Sequence, residues 1–127
     1  MAIEYSVSQN GSRIETFPKD ELSVEETIDY FNRLANDNKI IQGATEIVYF
    51  RYVTDFKFSY SEAFKISSNY QKPQITKMIG ATIFVCETDP AYVIGNMMQT
   101  YHRITDSKHK VVIVRSEGEI EKTINEL

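Results

Sequence analysis

The sequence has a single cysteine, Cys86, and no long uninterrupted apolar run. One cysteine cannot form an internal disulfide, and it cannot supply a zinc site of the Cys-x-x-Cys type. No window approaches the roughly 18 consecutive apolar residues of a membrane-spanning helix. The opening residues 1–13 have neither the basic start nor the apolar stretch of a signal peptide. We therefore expect a cytoplasmic protein without a membrane span.

The chain also lacks a net positive charge, since its formal net charge is −4. Nucleic acids and anionic membranes bind basic proteins through the release of counterions, which does not favour an acidic chain. The one locally basic run, 102–110, is interpreted as a helix end and a following loop, because cations suit the negative end of a helix dipole. We expect no nucleic-acid partner.

Residue types that carry chemistry are scarce. Cys86 ends a buried-type strand, where open α/β sheets often place functional groups, but a nucleophilic cysteine needs a base nearby. The only histidines, His102 and His109, lie near the far end of the next helix and in the loop after it. Acidic pairs such as Glu87 and Asp89 suit a helix start. We predict that Cys86 is a small core residue and that the chain has no catalytic residues, metal site or cofactor.

What the sequence does contain is a regular alternation of strand and helix patterns over residues 1–127, the length of one domain. Asn10-Gly11 predicts an antiparallel hairpin, because both central positions of a type I′ turn need positive φ. Buried-type strands are predicted at Glu46–Val53, Ile79–Cys86 and Val111–Val114. Helices are predicted from Ser23 to Asn36–Asn38, and at Tyr60–Tyr70, Pro90–Ile104 and Glu117–Leu127.

The predicted order is therefore ββαβαβαβα. Strands that alternate with helices pair in parallel through right-handed crossovers. The fold class is α/β, with a mostly parallel sheet, an antiparallel N-terminal hairpin strand and about four helices. One face of the first helix is predicted to be apolar through Val24, Ile28, Phe31 and Leu34, and one side of the third through Ile94, Met97, Met98 and Tyr101.

Serine and glutamate recur in capping-box spacing at three predicted helix starts. The three pairs are Ser23 with Glu26, Ser59 with Glu62, and Ser116 with Glu119. Repetition of one device favours helix capping, in which the serine accepts a backbone hydrogen bond and the glutamate reaches back. A phosphate at a helix N-terminus is also electrostatically favourable, so Ser59 and Ser61 are candidates for a helix cap or a phospho-acceptor.

Aromatic residues are concentrated in the middle of the chain. Eight of the fifteen lie within 22 positions: Tyr49, Phe50, Tyr52, Phe56, Phe58, Tyr60, Phe64 and Tyr70. Phe56 and Phe58 fall in a predicted connection, where large apolar side chains are unusual. This surplus indicates either a pocket or contact surface, or a satellite cluster that holds the loop against the sheet.

Two segments carry a resemblance to a known family. The first is "YFRYVTDFKFSYSEAFKIS", a strand, then Val-Thr-Asp, then a loop into a helix. The second is "ATIFVCETDPAYVIGNMMQTYHRI", a buried strand, an acidic turn and a helix with a Gly95-Asn96-Met97 step. Together with the element order, they resemble STAS domains, the fold of bacterial anti-sigma-factor antagonists, and within these the SpoIIAA-like (STAS/SEC14-like) subgroup.

The resemblance implies an Asp-Ser-x-Gly tetrad at the start of the second helix, whose serine a partner kinase phosphorylates. Here Phe58 stands in place of the aspartate before Ser59, and no glycine follows the serine, so the motif is degenerate. The resemblance implies a non-enzymatic regulatory or protein-interaction domain that binds a partner protein or a second copy as a homodimer. Its alternative is a carrier of a small apolar ligand or lipid. In either case the predicted contact residues are Phe56, Phe58, Tyr60, Phe64, Met97 and Met98.

Overall fold

The computed structural model describes residues 3–70, 72–76, 78–104 and 109–127. Seven strands lie in these residues: β1 (Glu4–Ser8), β2 (Arg13–Phe17), β3 (Lys19–Ser23), β4 (Ala44–Tyr49), β5 (Tyr52–Lys57), β6 (Ile79–Val85) and β7 (Lys110–Val114). They also contain five α-helices: α1 (Val24–Ala35), α2 (Tyr60–Asn69), α3 (Pro73–Thr76), α4 (Asp89–Ile104) and α5 (Ile120–Glu126). None of the described helices combines the length and the apolar character that crossing a membrane requires.

Five strands form the main sheet in the order β1-β2-β4-β6-β7. β1 pairs with β2 in antiparallel fashion, and every other neighbouring pair in this sheet is parallel. The predicted α/β fold class, with a mostly parallel sheet and an antiparallel N-terminal strand pair, is confirmed. β4 is the central strand, so both of its faces must be covered by other elements.

The sheet lies between two unequal layers. α1, α2 and α4 cover one face, where Leu34, Ile66 and Met98 pack into the larger core cluster. α5 covers the other face, where Ile120 packs against a smaller cluster that includes Ile47 of β4. Because successive side chains of a strand point to opposite faces, alternate residues of β4 belong to different cores.

The chain also has a second sheet of two parallel strands, β3 and β5, which the sequence pattern did not predict. The predicted strand 46–53 is wrong beyond Tyr49, because the chain turns at Phe50 and Arg51 and then begins β5. In the pairing of β3 with β5, Asp20 lies opposite Val53 and Glu21 opposite Asp55, so one residue of β5 is extra. This bulge places residues 53 and 56 on the core side and breaks the period of two that marks a strand.

The helix faces also differ in part from their predictions. Ser23 is the N-cap of α1 and accepts a hydrogen bond from the backbone N–H of Glu26, and α1 ends within one residue of the predicted stop. Its buried residues are Val24, Thr27, Tyr30, Phe31 and Leu34, whereas Ile28 is 37% exposed. Tyr30 occupies this face because its hydroxyl contacts Thr16 and Glu46 of the sheet, and the Thr27 hydroxyl donates to the backbone carbonyl of Ser23.

The hairpin turn has the predicted positive φ at Asn10 and Gly11, and also at Gln9. It spans four residues rather than two, since Ser8 pairs with Arg13. A side chain at Gly11 would place its Cβ 2.3 Å from the carbonyl oxygen of Lys39. The Gly11 carbonyl in turn accepts a 3.0 Å hydrogen bond from the N–H of Ile41, which fastens the turn to the segment before β4.

Leu34 and Ile28 provide a matched test of which face of α1 is buried. Leu34→Ala should lower the free energy of unfolding by about 2–5 kcal/mol, because it leaves a cavity in a site with no solvent exposure. Ile28→Ala removes a side chain that is partly in solvent and should cost less. Denaturant unfolding of both variants measures the difference. Equal losses would contradict the assigned face.

Candidate functional site

Ser59 is the N-cap of α2 and forms a complete capping box. The Glu62 backbone N–H donates to Ser59 Oγ at 3.3 Å, and the Ser59 N–H donates to Glu62 Oε1 at 2.9 Å. The hydroxyl oxygens of Ser59 and Ser61 are 3.1 Å apart, and both serines are exposed. The cap therefore uses Ser59, while both hydroxyls remain accessible at the positive end of the helix dipole.

Phe56 and Phe58 lie against the core rather than in an open surface. Both are half-buried, and both pack on the larger core cluster. The Phe56 ring lies edge-on to Phe50 at 5.4 Å and to Phe58 at 5.9 Å, measured between ring centroids. Phe50 stacks on Phe84 of β6 at 5.3 Å. These two phenylalanines thus form the satellite cluster that fastens β5 and the α2 start to the sheet.

Tyr60 and Phe64 behave differently, because they are 72% and 43% exposed. The Phe64 ring lies edge-on to Tyr101 of α4 with centroids 5.1 Å apart. The Tyr101 hydroxyl donates to the backbone carbonyl of Tyr60 at 3.1 Å, which joins the two helices at the surface. We call Tyr60, Phe64 and Tyr101 the α2–α4 aromatic patch. Met97, one turn before Tyr101, is half-buried on α4.

Met98 points to the opposite side of α4 and is only 3% exposed. It lines an apolar cavity between the helix layer and the sheet, together with residues that include Tyr30, Phe58 and Phe84. This cavity has a volume of about 40 Å³, far below the roughly 300–1,000 Å³ of pockets for small organic ligands. Met98 is therefore a core residue and not part of the exposed patch.

Cys86 is fully buried at the end of β6. Burial raises the pKa of its thiol to about 12, which keeps it protonated and unreactive at neutral pH. α4 approaches this position closely because Gly95 has no side chain, and a Cβ there would lie 3.0 Å from the Cys86 sulfur. The structure places Cys86 as the small core residue that the sequence predicted.

Ion pairs occupy the carboxyl ends of the central parallel strands, where open α/β sheets often bind ligands. Arg51, after β4, contacts Glu87 and Glu117, each at 2.9 Å. Arg115, after β7, contacts Asp89 at 3.2 Å. Within the described residues, no three His, Cys, Asp or Glu side chains are grouped so that they could hold a metal ion.

A buried polar cluster lies at the centre of the sheet, and sequence reasoning missed it. Glu46 of β4 has no solvent exposure. The Tyr30 hydroxyl donates to its Oε2, and the Tyr70 hydroxyl donates to its Oε1 at 2.7 Å. Thr82 of β6, the register partner of Glu46, has its hydroxyl oxygen 2.7 Å from the same Oε1. Burial raises the pKa of Glu46 above its ordinary value.

The cluster continues from Thr82 through both histidines. Thr82 Oγ1 is 2.7 Å from His109 Nε2, and His109 Nδ1 is 3.0 Å from His102 Nε2. His102 Nδ1 is 2.9 Å from Ser67 Oγ of α2 and equally far from the Met98 carbonyl oxygen of α4. Burial lowers the pKa of both imidazoles, and that of His109 falls to about 3.

The helix end predicted within 102–110 is present, since α4 ends at Ile104, but His102 and His109 are buried in the core. Residues 105–108 lie outside the described residues. One signal for the cluster exists in the sequence. Glu46 and Thr82 are polar residues at helix-facing positions of strands that are otherwise apolar, and such residues need buried partners.

Ser59 allows a direct test of the capping box. Ser59→Ala removes the acceptor for the Glu62 N–H and should lower the free energy of unfolding by about 1 kcal/mol. With an unfolding entropy of about 2.1 cal/mol/K per residue, the melting temperature should fall by about 4 °C. Ser59→Asp should keep most of the stability, because aspartate also caps helices well. Ser61→Ala is the control and should change little, and an unchanged melting temperature for Ser59→Ala would contradict the cap.

Comparison with known proteins gives structural matches alone, because no family model and no curated protein matches the chain. The structure of the anti-sigma factor antagonist SpoIIAA in its unphosphorylated form is 12% identical, with a TM-score of 0.53 over 99% of this chain and 100% of that one. An uncharacterized protein of the DUF3478 family with a SpoIIAA-like fold, from Shewanella loihica PV-4, is 9% identical, with a TM-score of 0.53 over 93% and 88% of the two chains.

Identities this low carry information about the fold and not about the activity. The match to SpoIIAA nevertheless extends over both whole chains, which agrees with the strand order and the helix positions described above. The resemblance drawn from the sequence is confirmed at the level of the fold: the chain has a SpoIIAA-like fold.

Proposed function

We propose that this chain is a non-enzymatic regulatory domain that acts by binding a partner protein, and that a second copy of the chain is one such partner. The α2–α4 aromatic patch and the exposed start of α2 form the contact surface. Binding there regulates by occlusion or recruitment rather than by chemistry. The fold supports this proposal, because a solved protein that shares it is an anti-sigma factor antagonist.

The observation that carries the proposal is the exposure of the patch. Tyr60 leaves 72% of its surface in solvent at the first residue of α2, and Phe64 lies one turn later on the same side. Tyrosine and phenylalanine are enriched at the centres of protein interfaces, where they lose few rotamers for a large buried area. The contact between Phe64 and Tyr101 fixes the ring positions before binding, which reduces the entropy lost on association.

Ser59 and Ser61 lie at the edge of this surface. We propose that the main role of Ser59 is the helix cap, since the tetrad of the phosphorylated family members is degenerate here. The position still affects recognition, because a negative charge at Ser61 would stand beside an apolar contact. A phosphate would oppose binding and at the same time favour the helix terminus.

The carrier alternative is not favoured, because the apolar cavity of about 40 Å³ has room for little more than a water molecule or two. Enzymatic activity is not part of the proposal either. The buried Cys86 has a raised pKa, and three carboxylates that follow β6 and β7 pair with arginines: Glu87, Asp89 and Glu117.

Substitution of the patch should weaken self-association without unfolding the domain. The double variant Tyr60→Ser and Phe64→Ser removes two exposed rings, and it should raise the dissociation constant of the dimer at least about tenfold, or about 1.4 kcal/mol. Sedimentation velocity over a concentration series measures the constant. Thermal melting of the same samples checks that the fold is intact.

Tyr52→Ser is the matched control, because Tyr52 is 55% exposed on β5 and lies outside the patch. It should leave the dissociation constant unchanged. Wild-type protein that stays monomeric at the highest concentration would overturn the self-association proposal. A dimer that is weakened equally by Tyr52→Ser and by the double variant would place the interface elsewhere.

A further inference from the structure

The hydrogen positions in the buried cluster follow from one carbonyl group. His102 Nδ1 is 2.9 Å from the Met98 carbonyl oxygen, and a carbonyl oxygen can only accept. The proton of His102 is therefore on Nδ1. A neutral imidazole has one N–H, so His102 Nε2 accepts, and His109 Nδ1, 3.0 Å away, must donate to it.

The protons of His109 and Thr82 in turn determine the protonation of the Glu46 carboxyl group. His109 has its proton on Nδ1, so its Nε2 accepts from the Thr82 hydroxyl 2.7 Å away. Thr82 has one hydroxyl proton, and that proton is directed at His109. Only a proton on the carboxyl group can then complete the 2.7 Å contact between Thr82 Oγ1 and Glu46 Oε1.

We infer that Glu46 is a proton-binding site and is held as the neutral acid. It starts a relay, by which we mean a chain of hydrogen bonds that all donate in one direction, through Thr82, His109 and His102 to the Met98 carbonyl oxygen. The remaining contacts fit this state. Oε2 is the carbonyl oxygen and accepts from Tyr30, while Oε1 accepts from Tyr70 as it donates to Thr82. Burial favours the uncharged form of the acid and of both histidines.

Loss of the proton reverses the relay. An ionised Glu46 requires the Thr82 hydroxyl as a donor, so the Thr82 oxygen must accept from the Nε2–H of His109. His109 Nδ1 is then unprotonated and must accept from the Nε2–H of His102. His102 Nδ1 is then unprotonated, and it repels the Met98 carbonyl and accepts instead from Ser67 Oγ, 2.9 Å away. One proton at the sheet centre thus decides whether His102 bonds within α4 or to α2.

The groups that face this relay come from every element packed around it. In the described part of the chain they are Thr16 of β2, Tyr30 of α1, Ser67 of α2, Tyr70 after α2, Thr82 of β6, His102 of α4 and His109 before β7. Burial raises the pKa of both tyrosines well above the ordinary value, so they remain donors throughout the working range. Of these groups, the glutamic acid and the two histidines are therefore the ones whose titration can change the relay.

The pH dependence of stability has opposite signs for the two kinds of group. Above its ordinary pKa of 4.5, unfolded Glu46 has released its proton while folded Glu46 keeps it, so stability falls as the pH rises through the folded pKa. The histidines stabilise above their ordinary pKa of 6.5, and this contribution is lost as the pH falls through the folded values, about 3 for His109. Above pH 6.5 the histidines are neutral in both the folded and the unfolded state, so any pH dependence that this cluster still contributes there belongs to Glu46.

The wild-type protein tests the inference directly. Infrared spectroscopy at neutral pH should show the carbonyl band of a buried carboxylic acid, and nitrogen-15 NMR should show both histidines as Nδ1–H tautomers. On raising the pH, the acid band and the His102 Nδ1 proton should disappear with one midpoint. Nε2–H tautomers without an acid band at neutral pH would overturn the inference, and an acid band that titrates without a tautomer change would overturn the relay.

Glu46→Gln provides the matched variant, because its amide nitrogen can donate to Thr82 and its oxygen can accept from Tyr30, although the nitrogen cannot accept from Tyr70 as Oε1 of the acid does. The variant should lose the infrared band and keep Nδ1–H on His102 at high pH. It should also lack the fall in stability above pH 6.5 that we attribute to the Glu46 carboxyl group of the wild type. Glu15→Gln, on the neighbouring β2, should retain the wild-type band and pH profile. A Glu46→Gln variant that unfolds at neutral pH while the wild type shows no acid band would mean that an ionised carboxylate is required.

Discussion

A carboxyl group in the middle of the central strand is the constraint around which the helix layer is arranged. An uncompensated charge in a protein core costs several kcal/mol, and even a neutral acid there needs its hydrogen bonds. Glu46 obtains them from Tyr30, Tyr70 and Thr82, which belong to α1, to the end of α2 and to β6. The positions of α1 and of the end of α2 are therefore fixed by directional contacts as well as by apolar packing.

Elements whose sequence signals are local could be predicted, whereas the buried polar cluster could not. Periodicity and capping residues are local, so they predicted the hairpin, α1, the start of α2 and the parallel sheet. β5 escaped prediction because its bulge interrupts the alternation. The polar cluster escaped because its members lie far apart in sequence: Tyr30, Glu46, Ser67, Tyr70, Thr82, His102 and His109 meet only after the sheet has formed. No spacing rule links residues that are brought together by five different elements.

The candidate contact surface was predicted only in part for a related reason. Residue type identified an aromatic surplus but could not divide it between core and solvent. The turn at Phe50 and Arg51 brings β5 back along the sheet, which buries much of Phe56 and Phe58 and leaves Tyr60 and Phe64 at the surface. Tyr101 was assigned to a buried helix face because its neighbours are apolar, whereas α4 turns Gly95 and Met98 to the sheet instead.

The turn at Gly11 has a consequence for strand register. A parallel pair such as β2 and β4 has no short loop to set its alignment, and a slip of one residue would turn every side chain of β4 to the other face. The hydrogen bond from the Ile41 N–H to the Gly11 carbonyl supplies the missing reference point. Any side chain at position 11 would meet the Lys39 carbonyl and disturb that reference. A residue at the tip of a surface hairpin therefore contributes to the register in which the carboxyl group of Glu46 points towards its tyrosine donors and not towards α5.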